Sequence, residues 1–161
     1  MTSLVLIVHR LLMLALVDGE SAPAGGMAVR RHKHDAALLA DGRVPVTGGS
    51  DERDDQGAYR STEVYDVGTR RFTPGPTMQL ARYKHERSAV LQADGTVFIG
   101  GGARAAEVLD VAGGRAILVE SSPALAGQFS AVAPLNDHRV FISGGYGNGD
   151  GPRRLAWEYV P

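Results

Sequence analysis

The stretch Asp41-Gly42-Arg43-Val44-Pro45-Val46-Thr47-Gly48-Gly49 decides the fold, because it occurs three times. It returns as Asp94-Gly95-Thr96-Val97-Phe98-Ile99-Gly100-Gly101-Gly102 and again as Asp137-His138-Arg139-Val140-Phe141-Ile142-Ser143-Gly144-Gly145. The spacings, 53 residues from Asp41 to Asp94 and 43 from there to Asp137, define a unit of roughly fifty residues with elastic loops. Each copy is a turn, a short run rich in β-branched and aromatic residues, and a second turn, which reads as a strand. Asp-Gly supplies the tight turn, since glycine takes a positive φ without steric cost.

Working outward, every copy follows a short apolar run, at residues 36–39, 88–91 and 129–135. After the first two copies comes a third element, Glu63-Val64-Tyr65-Asp66 and Glu107-Val108-Leu109-Asp110, and the chain ends on a counterpart, Trp157-Glu158-Tyr159-Val160-Pro161. A fourth element lies at residues 72–76 and 117–119. Four sequential strands with short links make an antiparallel meander, the form of one blade of a β-propeller.

Composition agrees. The chain holds 21 glycines and 8 prolines in 161 residues, a density of chain breakers that suits short strands better than long helices. Seventeen basic against 18 acidic residues give a net charge of −1, which argues against a nucleic-acid partner. Cysteine is absent, so disulfides, thiolate metal sites and cysteine nucleophiles are excluded within these residues. Residues 4–17 are apolar apart from His9 and Arg10. That run is too short for a confident membrane span, which needs about 20 residues. With Ala22-Pro23-Ala24 behind it, it reads either as a signal peptide over residues 1–24, implying secretion, or as the remnant of an earlier unit in a cytoplasmic protein.

The order of these motifs resembles the Kelch repeat of the galactose-oxidase-like propellers. Arg31, His34, Asp41, Gly42, Gly48, Gly49, Glu63, Tyr65, Asp66, Phe72 and Met78 carry the likeness in the first unit; Arg82, His85, Asp94, Gly95, Gly101, Gly102, Glu107 and Asp110 carry it in the second. The resemblance covers residues 27–161, as units 27–78, 79–125 and 126–161 behind an N-terminal segment 1–26. It implies an all-β fold, a partial Kelch-type propeller of nearly three four-stranded blades. Pro45 departs from the pattern by standing inside a paired strand, where it deletes a ladder hydrogen bond. His138 departs too, replacing the turn glycine. Propellers close with four to eight blades, so nearly three implies either a piece of a larger propeller or self-association that completes one.

Chemistry is thinly marked. His32 and His34, two apart at the entry to a strand, would share a face and with a third ligand could hold a metal. They also fit the ordinary opening of a Kelch unit. The acidic loop 50–57 fails the spacing of an EF-hand, with Arg53 at the third position and Gln56 where the glycine belongs. The glycine-rich 144–151 lacks the lysine, serine and helix pattern of a phosphate loop. Glu63 and Glu107 occupy equivalent repeat positions, as structural residues do. Copper-radical oxidases built on such propellers need a tyrosine cross-linked to cysteine, which this chain cannot supply. No catalytic, cofactor or metal residue is assigned.

The reading is therefore a non-catalytic binding or scaffold module; the alternative is a propeller fragment of a carbohydrate-active oxidase or isomerase whose active site lies outside this chain. In a meander, connections alternate between the two ends of the sheet. Links from second to third strand (50–61, 103–106, 146–154) thus share a rim with the link from one blade to the next (77–84). That rim carries Arg53, Tyr59, Arg60, Arg82, Tyr83, Tyr146 and Arg153, types enriched at interface hot spots, and its expected partner is a protein or a carbohydrate. The opposite rim of tight turns is expected to offer little contact area.

Overall fold

Three antiparallel sheets make up the protein in a computed structural model that describes residues 23–119, 127–147 and 151–161. The signal-peptide expectation falls on residues outside that range. The first sheet is a meander of β1 (Asp35–Ala36), β2 (Val44–Thr47), β3 (Thr62–Asp66) and β4 (Arg71–Pro74). The second repeats it with β5 (Ala89–Leu91), β6 (Val97–Ile99), β7 (Glu107–Asp110) and β8 (Arg115–Leu118). The third has three strands, β9 (Ala131–Pro134), β10 (Val140–Ser143) and β11 (Ala156–Tyr159), with β10 in the middle. The fold is all-β, and helical structure among the described residues is confined to two short 3-10 turns, Asp54–Gly57 and Asn136–His138.

Registers are equivalent across the repeats. Val44, Val97 and Val140 open the second strands and face Tyr65, Leu109 and Tyr159 in the third. Strand alternation then sends neighbouring residues to opposite faces. In the second sheet Val97, Ile99, Leu109 and Ala116 join Ala37 and Leu39 of the first unit in one core cluster. Val90, Phe98 and Val108 point the other way, into a second cluster with Val140, Ile142 and Tyr159 of the third sheet. The second sheet is therefore buried on both faces, and the hydrophobic core consists of two joints between consecutive sheets. The turn predicted at His138 forms with φ +69°, close to the +85° of Gly42 and Gly95, so histidine takes the left-handed place of glycine there.

The expected first strand at residues 36–39 is shorter in the structure and starts earlier, at Asp35–Ala36. Pro45 explains the difference. Its carbonyl accepts from Ala37 N–H at 3.2 Å, so its own nitrogen, which lies on the same side of the strand, faces β1 with no proton to give. Toward β3 it stands opposite Val64, at a pair that by alternation exchanges no hydrogen bond. The proline therefore leaves β2 intact and costs only the extension of β1, whereas β5, paired with Phe98, runs one residue longer.

The glycine pairs closing the second strands serve close approach. A Cβ at Gly49 (φ +86°) would stand 2.6 Å from the His32 carbonyl oxygen, and one at Gly102 (φ +73°) 2.5 Å from that of Tyr83. These contacts seat the entry segment of each unit against the end of its own β2 or β6.

A buried ion pair locks the entry segment in place. Arg82 and Glu107 meet at 2.8 Å with both side chains fully buried. Arg82 also donates to the Gly101 carbonyl at 2.5 Å and the Ala105 carbonyl at 3.1 Å, while the Glu107 carboxylate accepts from Gln79 N–H (2.7 Å) and Leu80 N–H (3.0 Å). The first unit repeats this: Arg31 and Glu63 meet at 2.8 Å, Arg31 donates to Gly48 and Ser61 carbonyls, and Glu63 accepts from Ala28 and Val29 N–H. Residues 23–29 thus occupy on the first sheet the place that residues 74–80 occupy on the second.

Two stability predictions follow from this packing. Replacing Pro45→Val, which restores a donor facing Ala37, raises the chemical-denaturation midpoint by the equivalent of about 1 kcal/mol; a lower midpoint would show that the strand needs the proline. Glu107→Ala, which strands a buried guanidinium, costs about 3–5 kcal/mol. The double variant Arg82→Met, Glu107→Leu recovers only part of it, because the Gly101 and Ala105 carbonyls and the Gln79 and Leu80 N–H groups lose their partners. A loss under about 1 kcal/mol in the single variant would deny the pair its role.

Candidate binding rim

The rim is built by three entry segments lying side by side. Lys33, Lys84 and Phe129 each adopt φ +54°, a left-handed conformation that costs a non-glycine residue energy. Backbone bonds join them in series: Lys84 N–H donates to the Lys33 carbonyl at 3.0 Å, and Phe129 N–H to the Lys84 carbonyl at 2.7 Å. The same backbone pattern recurs in all three units, so the strain is repaid by an inter-sheet ladder at one end of the stack.

Around this ladder the expected rim residues divide. Arg53 is exposed and is held by the Asp51 carboxylate. Tyr59 is half-buried; its ring lies under the Arg31 guanidinium, 5.5 Å from the centroid, and its backbone bridges to Arg82. Arg60 is exposed and donates from Nε to the Met78 carbonyl at 2.8 Å. Tyr146 is half-buried, its ring 5.6 Å from that of Phe129, and Arg153 is half-buried with its N–H on the Gly145 carbonyl.

Arg82 and Tyr83 do not belong to the exposed surface. Arg82 is the buried partner of Glu107, and Tyr83 is buried with its hydroxyl accepting from Gln128 Nε2 at 3.1 Å. The connection between sheets dips back into the stack, so residues placed in a loop by counting become core. Burial works against the charge of the Arg82 guanidinium and lowers its pKa, with the Glu107 carboxylate opposing. At Glu63 burial alone would raise the pKa, but the N–H groups of Ala28 and Val29 and the Arg31 guanidinium outweigh it and hold the carboxyl below its usual range.

In their place the structure brings forward Lys33, Lys84 and Phe129, whose side chains flank the rim. Lys33 pairs with Asp54, which also stands 3.5 Å from His32 Nε2. Lys84 lies over the Tyr83 ring, 5.1 Å from its centroid, and Phe129 is 48% exposed. A signal for the lysines was present: Arg31-His32-Lys33-His34 and Arg82-Tyr83-Lys84-His85 share Arg-x-Lys-His.

The two histidines do not share a face. The left-handed Lys33 between them interrupts the extended path; His32 Nε2 bonds the Asp51 carbonyl oxygen at 2.8 Å, while His34 is half-buried, with burial first and Arg31 second lowering its pKa. Among the described residues no three His, Asp or Glu side chains gather to hold a metal ion. Within the loop 50–57 Asp51 is held by Arg53 and Asp54 by Lys33, so these carboxylates serve the loop itself. Of the glycine-rich 144–151, residues 148–150 fall outside the described range.

Two cavities lie at opposite ends of the stack. One of about 280 Å³ opens on the rim between Arg30, His32, Ser50 and Glu52. The other, about 360 Å³, opens among the tight turns between the second and third sheets, beside Gln92, Leu135 and His138. The expectation that this end offers little contact area is therefore corrected. At equivalent places Leu39 packs into the first joint, whereas Gln92 lines this cavity and accepts a hydrogen bond from Thr96 Oγ1 at 3.0 Å. No family model matches this chain, and no curated protein matches it.

Behind the rim His85 is fully buried and shares a 3.1 Å hydrogen bond between Nε2 and Thr47 Oγ1. Burial first, then the Arg82 and His34 charges, push its pKa down to about 3, against the Thr47 contact. The unfolded chain would protonate this histidine near its ordinary pKa of 6.5 while the folded one would not, so its contribution to stability is present above that value and is lost as pH falls toward 3. Between pH 7 and 5 the loss is on the order of 1–2 kcal/mol. Thermal melts should show the midpoint falling over that interval in the wild type and falling less steeply in His85→Gln, where His34 still contributes; equal slopes would exclude His85 as a source.

Proposed function

We propose that this chain is a Kelch-repeat binding module, non-catalytic in itself, that grips a protein segment along the rim of its entry segments. The observation that carries this reading is the pair of exposed Phe129 and half-buried Tyr146, with Phe129 in line with the basic Lys33 and Lys84 positions on one inter-sheet ladder. Exposed aromatic rings supply contact area at low conformational cost, and neighbouring cations give orientation. The strained left-handed backbone beneath them holds the side chains in a fixed spacing, which lowers the ordering cost of binding. The repeated Arg, His, Asp-Gly, Gly-Gly and Glu positions support the Kelch reading, because each has a matching structural part in the first two units.

The test is a peptide library panned on the wild type and rescreened on Phe129→Asn, Tyr146→Ser. Asparagine tolerates the left-handed conformation, so the fold is retained. Selected peptides should lose at least tenfold in affinity for this variant and bind Gln92→Glu, at the opposite end, unchanged. Peptides indifferent to the rim variant would remove the rim as the site, and enrichment on a glycan array in place of peptides would move the reading to carbohydrate.

A further inference from the structure

The two joints inside this chain share one plan, and the chain carries both halves of a third. In the joint between the second and third sheets, the rings of Phe98 and Tyr159 stack with centroids 4.6 Å apart and planes at 26°. Phe98 follows the strand-opening Val97, and Tyr159 is registered on the strand-opening Val140. On the same register Phe141 takes the place of Phe98 in the third sheet, on the face opposite Val140 and Ile142. Tyr65, registered on Val44, takes the place of Tyr159 in the first sheet, on the face it turns away from the second. Among the described residues no sheet is stacked over either ring, although each is half-buried, and Tyr65 rests on Phe72 at 5.0 Å.

Other halves match. Leu91 packs into the first joint, while its counterpart Leu38, on the free face of the first sheet, is 66% exposed. The backbone ladder on the rim also has open ends. Among the described residues, Lys33 N–H and the Phe129 carbonyl make no backbone hydrogen bond, and they are the donor and acceptor that a further step of the same ladder would join.

We propose that two copies of this chain associate head to tail, the free face of each third sheet covering the free face of the other's first sheet, with Phe141 of one copy stacked on Tyr65 of the other. Two such contacts are related by a twofold axis and close six sheets into a ring, within the range in which stacked four-stranded sheets close. A second copy is the occupant because the exposed halves are complementary to each other by the plan of joints already formed.

Light scattering on the full chain should give twice its 17.0 kDa mass. Phe141→Glu and Tyr65→Glu should each give the single-chain mass with an unchanged β-type circular dichroism spectrum, since each removes one side of both contacts. Mixing the two variants restores one intact contact per pair, so the two-chain mass should reappear. Ala133→Arg, at an exposed position registered on Phe141, should dissociate the pair without disturbing either core. A wild type of single-chain mass, whether because further sheets of a longer polypeptide or a different protein occupy these faces, overturns the proposal. So does a dimer that survives Ala133→Arg, or a variant mixture that stays monomeric.

Discussion

The rest of the structure hangs on the buried arginine–glutamate pair that, in the first two units, joins the entry segment to the third strand of its sheet. Two charges withdrawn from water gain nothing unless their remaining hydrogen-bonding capacity is met. Here it largely is: Arg82 reaches the carbonyls of Gly101 and Ala105, and Glu107 takes the N–H groups of Gln79 and Leu80. Gly101 and Ala105 lie in the loop between β6 and β7, and Gln79 and Leu80 in the connection from the first sheet, two segments that no strand ladder joins to each other. The pair is thus a local substitute for secondary structure, and it fixes where the chain passes from one sheet to the next. Once that passage is set, Met78 drops fully buried into the joint between sheets, and the left-handed Lys84 falls into line with Lys33.

Alternation does the remaining work. Because side chains along a strand switch faces at every residue, one strand of three residues, Val97-Phe98-Ile99, can close two separate joints. This is why the second strands are almost wholly apolar, and why Pro45 is tolerated where a polar residue would not be: it is fully buried, and its missing donor faces only the short β1.

Much of this was legible in the sequence. The Asp-Gly and Gly-Gly punctuation marked the second strands, and the spacing of Glu-Val-Tyr-Asp and Glu-Val-Leu-Asp marked the third, because turn geometry and strand period depend on residues close together in the chain. The equivalence of Glu63 and Glu107 identified them as structural residues. Their partners were harder to see. Arg31 and Glu63 lie 32 positions apart and Arg82 and Glu107 lie 25 apart, so no single offset along the chain couples them. A surface reading of Arg82 and Tyr83 followed from their place in a connection, and it failed because that connection is drawn inward by a carboxylate already buried. Likewise the cavity beside Gln92 is lined by residues of two sheets, so it exists only once the sheets are stacked.

The third unit tests this logic by breaking it. Gly127 stands where Arg31 and Arg82 stand, since the next residue but one in each unit is the left-handed Lys33, Lys84 or Phe129. Trp157, registered on Ile142, stands where Glu63 and Glu107 are registered on Val46 and Ile99. Both members of the ion pair are therefore replaced together, by a residue without a side chain and by an aromatic one that is 43% exposed. Losing one partner alone would have left a buried charge at a cost of several kcal/mol; losing both removes the penalty along with the clasp. The unit released from this constraint is also the one whose ladder position carries an exposed phenylalanine instead of lysine. Where the ion pair no longer dictates the entry segment, the sequence is free to place aromatic surface there, and it has done so at Phe129 and Trp157.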